Sequence, residues 1–232
     1  MYFKHLVFSI LFASADAFIT CELATDVEIG KDVTFNCTFE CNDPCVPWVM
    51  WEKDQVAGIL HEYKEDKSDV SKQHANYSGR IEVDTFSFKE GKAFLTLKNV
   101  EIWDEGKYIV SISTDNGYGA GFVQLSVWAA TPIKLFWNSE MHILSCQSSG
   151  WYPAPKVEWK DTSGNNLNND SEIIMREPNG HFNVTHNLKV LDKQNQYICS
   201  KWHKWMKKQT RVGFSEGTRL IRVDDGKNPS DL

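Results

Sequence analysis

Twice along this chain a cysteine is followed at closely similar spacing by a tryptophan, and further on by a tyrosine. Cys37 precedes Trp51 by 14 residues, and Tyr108 follows; Cys146 precedes Trp159 by 13, with Tyr197 and Cys199 after it. A repeat of this size marks two units of roughly 100 residues each. Around these marks the chain runs in short alternating stretches: "VTFNC", "FLTLKNV", "YIVSI", "FVQLSV", "HILSC" and "KVEWKD". A period of two is the sign of a strand with one face in a core, and a long helix has little support. The chain reads as all-β.

Cysteine, tryptophan and Tyr-x-Cys in this order form the core of an immunoglobulin sandwich. A disulfide joins strands B and F, the strand-C tryptophan packs on it, and the tyrosine makes a corner hydrogen bond. Trp51, Tyr108, Trp159 and Tyr197 take these structural roles. The two copies differ in length: Trp51 to Tyr108 spans 57 residues and Trp159 to Tyr197 spans 38. The surplus of 19 residues suits the two extra strands, C′ and C″, of a variable-type domain. The expectation is two tandem sandwiches, variable-type over 18–129 and constant-type over 132–224, joined by the short, proline-containing "WAATPIK" and followed by a polar tail over 225–232.

Residues 1–17 have a basic start at Lys4, an apolar run from Leu6 to Ala13 and Ala15-x-Ala17. That is the anatomy of a secretory signal peptide, which is set aside from fold reasoning. No later stretch approaches the roughly 18 apolar residues of a membrane span. The reading is a secreted product, or the outer part of a plasma-membrane protein whose anchor lies outside this chain. Sequons at Asn36, Asn76, Asn169 and Asn183 fit the secretory route as glycosylation candidates. A formal charge of −6 leaves no electrostatic footprint for nucleic acid.

All six cysteines, Cys21, Cys37, Cys41, Cys45, Cys146 and Cys199, follow the signal, and an even number in an oxidising compartment reads as disulfides. Cys146 with Cys199 is the expected pair of the second domain. The first domain departs from the pattern, because the residue two past Tyr108 is Val110 and offers Cys37 no sulfur. Cys21, Cys37, Cys41 and Cys45 then allow three pairings, among which a bridge from Cys21 to Cys41 or Cys45 is geometrically reasonable. A free thiol at Cys37 is the functional alternative. Zinc on "CTFECNDPC" is another, but secretion favours disulfides, and neither metal nor cofactor is expected.

Catalysis needs a nucleophile, a base and an orienting group that converge. The seven histidines are scattered, and the sequence holds no H-E-x-x-H, G-x-S-x-G or phosphate-binding glycine loop. An enzyme with a small-molecule substrate is therefore not expected. Strand alternation points to a recognition surface instead. With Trp51, Tyr108, Val110 and Val123 facing inward, Met50, Glu52, Ile109, Ser111, Phe122 and Gln124 face outward on one sheet. His61, Tyr63 and Tyr118 extend that patch. Apolar residues on a face that should be polar suggest a partner; a glycan or a second copy is the competing cover. In the second domain the basic, aromatic "SKWHKWMKKQTR" reads as an F-to-G hairpin with one tryptophan buried, in preference to the alternative reading of the same residues as a membrane-surface segment.

"LSCQSSGWYPAPKVEWKD" at 144–161 and "SGRIEV…AFLTLKNVEIWDEGKY" in the first domain resemble the butyrophilins and the T-cell co-stimulatory and co-inhibitory ligands. The resemblance covers roughly residues 18–224, and within the family it leans toward the HERV-H LTR-associating ligand. Arg80 and Asp104 resemble the ion pair that closes one end of variable domains. The resemblance implies a ligand for a lymphocyte surface receptor, engaged through the same sheet, that modulates T-cell activation. The alternative function is adhesion by immunoglobulin-domain pairing, with a homodimer as the product.

Overall fold

The computed structural model describes residues 18–22, 24–167, 172–215 and 219–223. The expected signal over 1–17, the tail over 225–232 and the Asn169 sequon lie outside the described residues. The described chain is all-β, with short 3-10 turns and no α-helix among these residues, and it divides into two compact units.

In the N-terminal part the strands are β1 (Ile19–Cys21), β2 (Ala24–Glu28), β3 (Val33–Phe39), β4 (Trp48–Lys53), β5 (His61–Lys64), β6 (Lys67–Asp69), β7 (Ile81–Val83), β8 (Lys92–Leu97), β9 (Gly106–Thr114) and β10 (Gly117–Trp128). They form a four-stranded sheet ordered β1-β3-β8-β7 and a six-stranded sheet ordered β2-β10-β9-β4-β5-β6. The short strands β5 and β6 extend the second sheet beyond β4, which accounts for the longer Trp51-to-Tyr108 interval. Phe35, Trp51, Tyr108, Val110, Val123 and Leu125 fill the space between the sheets. The ring of Phe35 lies 4.5 Å from that of Tyr108 and 6.3 Å from that of Trp51, within the range in which offset or tilted aromatic pairs attract.

The disulfides of this part correct one expectation. Cys21 bonds Cys37, and Cys41 bonds Cys45; Cys21 reaches neither Cys41 nor Cys45, and Cys37 is not a free thiol. The reason is register. Strand β1 runs antiparallel to β3 with Cys21 directly opposite Cys37, which brings their Cα atoms to 4.1 Å. The bridge therefore joins neighbouring strands of one sheet, where the usual immunoglobulin bridge spans two. Gly121 makes room for it: a Cβ there would lie 2.4 Å from Cys21 Sγ and 2.8 Å from Ile19 Cγ2. Val110, directly opposite Gly121 on β9, is buried beside it and packs where the second sulfur of the usual bridge would stand.

The C-terminal part contributes β11 (Lys134–Asn138), β12 (Ile143–Trp151), β13 (Lys156–Asp161), β14 (Glu172–Arg176), β15 (Phe182–Lys189), β16 (Tyr197–Trp202), β17 (Lys207–Ser215) and β18 (Arg219–Val223). Its sheets are ordered β11-β12-β15-β14 and β13-β16-β17-β18. Here the expected bridge forms between Cys146 and Cys199, with Trp159 fully buried in the same cluster. The Tyr197 hydroxyl donates to the Asp192 carbonyl at 2.5 Å, which is the corner hydrogen bond. Strands β16 and β17 form the expected hairpin over "SKWHKWMKKQTR", but Trp202 and Trp205 are each only half-buried.

Lys201 on β16 has no exposed surface, and nothing in the sequence pattern announced it. Its Nζ donates to the Val184 carbonyl at 2.7 Å, Ser148 Oγ at 2.9 Å and the Cys146 carbonyl at 3.1 Å. Three acceptors match the three N–H bonds of an ammonium group. Burial nevertheless lowers its pKa to about 7, because the charged form is the costly one away from water.

Candidate recognition face

Residues opposite one another on antiparallel strands point to the same side of a sheet, so register decides which side chains share a surface. On the outer side of β10-β9-β4-β5 three rows result. Phe122 is opposite Ile109, and Ile109 is opposite Glu52. Ala120 is opposite Ser111, which is opposite Met50, which is opposite Glu62. Tyr118 is opposite Ser113, and Ser113 is opposite Trp48. Gln124 and Lys107 form a further pair at one end.

The centre of this face is apolar. Phe122 and Tyr118 are exposed, at 46% and 66%, while Met50, Ile109 and Trp48 are half-buried. Charged and amide groups surround them. Lys107 Nζ sits 4.6 Å from the centre of the Phe122 ring, a cation–π contact that holds the ring in place. Trp48 Nε1 donates to Glu62 Oε1 at 2.8 Å, so the indole lies along the sheet. An apolar centre with a polar rim is the anatomy of a protein-binding patch, and large apolar groups on a sheet's solvent side are otherwise unfavourable.

Three of the expected face residues are placed differently. His61 and Tyr63 are 6% and 5% exposed and belong to the core, because they stand opposite the inward-facing Trp51 and Val49. Tyr63 packs its ring 4.9 Å from Phe88 and donates to Asp66 Oδ1 at 3.0 Å, while burial lowers the pKa of His61. The outward residue of this strand is the intervening Glu62. Ser111 does face outward, but Met50 and Ala120 flank it and it is buried. Trp48, Glu62 and Lys107 were missed; Trp48 and Lys107 follow from the alternation that picked out Met50 and Ile109.

The remaining sequence-marked residues lie elsewhere. Asn36 is on β3 of the other sheet, its amide donating to Glu22 Oε1 at 3.1 Å, and Asn76 lies in a 3-10 turn. Asn183 is on β15 and donates to Glu177 Oε1. No described sequon falls on the apolar face. Arg80 donates from its guanidinium to the carbonyls of Asn76, Lys98 and Asn99. Asp104 is buried and accepts from the Glu101 amide at 2.8 Å.

Residues 21–128 match the immunoglobulin V-set domain family, and residues 133–211 match the family described as butyrophilin subfamily 3 member A2-like, Ig-C domain. The rat V-set domain-containing T-cell activation inhibitor 1 is 31% identical over 201 residues, an alignment covering 80% of this chain and 69% of that protein. This chain belongs to the butyrophilin-like family of the immunoglobulin superfamily. The human T-cell activation inhibitor 1 is 29% identical, over 76% of this chain and 65% of that protein. Mouse butyrophilin subfamily 1 member A1 is 26% identical, over 74% of this chain but only 34% of its own length. Bovine butyrophilin superposes with a TM-score of 0.69 at 22% identity, covering 82% of this chain and 94% of that one, which shows the shared fold. The family consists of immune regulators and not of enzymes. Among the described residues no helix is long and apolar enough to cross a membrane.

Proposed function

We propose that this butyrophilin-like protein is an extracellular ligand, secreted or displayed at the plasma membrane, that binds a lymphocyte surface receptor through the outer face of β10-β9-β4-β5 and thereby modulates T-cell activation. The observation that carries the reading is the run of Tyr118, Phe122, Ile109, Met50 and Trp48 on the solvent side of a sheet whose other side is already a complete core. Two facts support it. None of the described sequons lies on that face, and the rat and human relatives are named for inhibition of T-cell activation. Residues at the centre of such patches carry most of the binding energy, and truncating an aromatic anchor there costs about 2 kcal/mol or more.

The test is staining of activated T cells with the multimerised chain. Phe122→Asp and Met50→Asp should each reduce binding at least tenfold, while Phe136→Asp, an exposed change on β11, should leave it intact. Equal binding by all three variants would refute the assignment of this face.

A further inference from the structure

Strand β14, "EIIMR" over Glu172–Arg176, is an end strand, paired on one side with β15 and with no described strand on its other side. Every one of its five residues is exposed, with Ile173 at 46%, Ile174 at 41% and Met175 at 57%. Three successive apolar residues on a sheet edge contradict the way proteins protect such edges, since unpaired N–H and C=O groups flanked by apolar side chains invite a further strand. The three do not share one face. Ile174 stands opposite the core residue Val184, whereas Ile173 and Met175 stand opposite Thr185 and Asn183 on the outer side. No single packing partner above or below the sheet would cover all of them, but a strand added at the edge would meet both sides at once.

The order of residues identifies that strand. Laid antiparallel against itself about Ile174, the segment places Glu172 opposite Arg176 of a second copy and Arg176 opposite that copy's Glu172. Ile173 then meets Met175, and Ile174 meets Ile174. Both charges fall on the same side of the sheet, because Glu172 and Arg176 are an even number of residues apart. Each register shifted by one or two residues separates at least one carboxylate from its guanidinium. Cross-strand opposite charges and apolar pairs stabilise a sheet, and like charges in the same position destabilise it.

We infer that β14 is a homodimerisation edge, joining two copies of this chain through antiparallel β14–β14 pairing about a twofold axis at Ile174, so that the four-stranded sheet continues as an eight-stranded one. Such a contact is isologous: each side presents the same residues to the other. A five-residue strand buries less than the roughly 1,000 Å² of a stable interface, so the dimer is weak and is favoured at high protein concentration or where copies are held side by side. It uses a different surface from the proposed receptor face and is independent of that assignment.

The test uses the full chain. Sedimentation at about 200 μM should show a concentration-dependent dimer. Glu172→Arg alone, which sets two like charges opposite each other, should abolish it, and Glu172→Arg combined with Arg176→Glu should restore it. Register is read by single cysteines under mild oxidation. Ile174→Cys should form a covalent dimer, while Ile173→Cys and Met175→Cys should each fail alone and cross-link only when mixed. A monomer throughout, a dimer broken by Met50→Asp but indifferent to the charge reversals, or cross-linking equal at all three positions would overturn the inference.

Discussion

Lys201 should make the second domain more stable as pH rises from neutral, a window in which carboxylates are already ionised in both the folded and the unfolded chain and add no slope of their own. The side chain is fully buried, and its pKa is lowered to about 7 from an ordinary 10.5, first by burial and against a smaller opposing pull from Glu172. Between these values the unfolded chain holds a proton that the folded chain has released. Unfolding then takes up protons, and stability increases with pH. Each unit of difference corresponds to about 1.4 kcal/mol, so the full effect is bounded at about 5 kcal/mol, and the part expressed between pH 7 and pH 9 is about 2 kcal/mol. Below pH 7 both states are protonated and the contribution is flat. The perturbation is Lys201→Met, which keeps the volume and removes the titrating group. The three acceptors around Nζ lose a donor, while the cost of burying a charge disappears, and these changes oppose each other. The informative quantity is therefore the pH slope and not the absolute stability. Urea unfolding of the full chain, followed by tryptophan fluorescence at pH 7, 8 and 9, would measure it, with the transition displaced in Lys201→Met marking the second domain. The native protein should gain about 2 kcal/mol across this range and the variant should not. Equal slopes in the two proteins would mean that Lys201 keeps its proton in the folded chain across this range.

Two further outcomes bear on the first domain. Gly121→Ala would drive a methyl group into the Cys21–Cys37 bridge, 2.4 Å from Cys21 Sγ, and should lower stability by about 1–3 kcal/mol through overpacking, read as a shift of the first-domain thermal transition. Val110→Cys places a third sulfur, as a free thiol, beside that bridge, so thiol–disulfide exchange should leave Cys37 divided between Cys21 and the new residue, read by mass spectrometry of non-reduced peptides. An unchanged disulfide map would mean that Val110 does not pack against the bridge.

Much of the fold was legible because it depends on local spacing. The repeated cysteine, tryptophan and tyrosine specified two sandwiches, and the extra 19 residues between Trp51 and Tyr108 specified the additional strands, since each strand and turn consumes a nearly constant length of chain. Alternation likewise placed Met50, Glu52, Ile109, Phe122 and Gln124 on one outer face, where a side chain's direction is dictated by its immediate neighbours. The same rule failed on β5, because a four-residue strand carries too little pattern to reveal its parity, and a step of one residue exchanges His61 and Tyr63 for Glu62.

From its own order of residues this protein determined a pair of immunoglobulin sandwiches, the bridge from Cys146 to Cys199 and the outward direction of Met50, Ile109 and Phe122 on one sheet. Tertiary structure alone decided that Cys21 meets Cys37, that Lys201 is sealed among three oxygen acceptors and that β14 is left at an edge. Each of these depends on which strands far apart in the chain become neighbours, and in what register. That is settled by the packing of the whole domain, which no local pattern encodes.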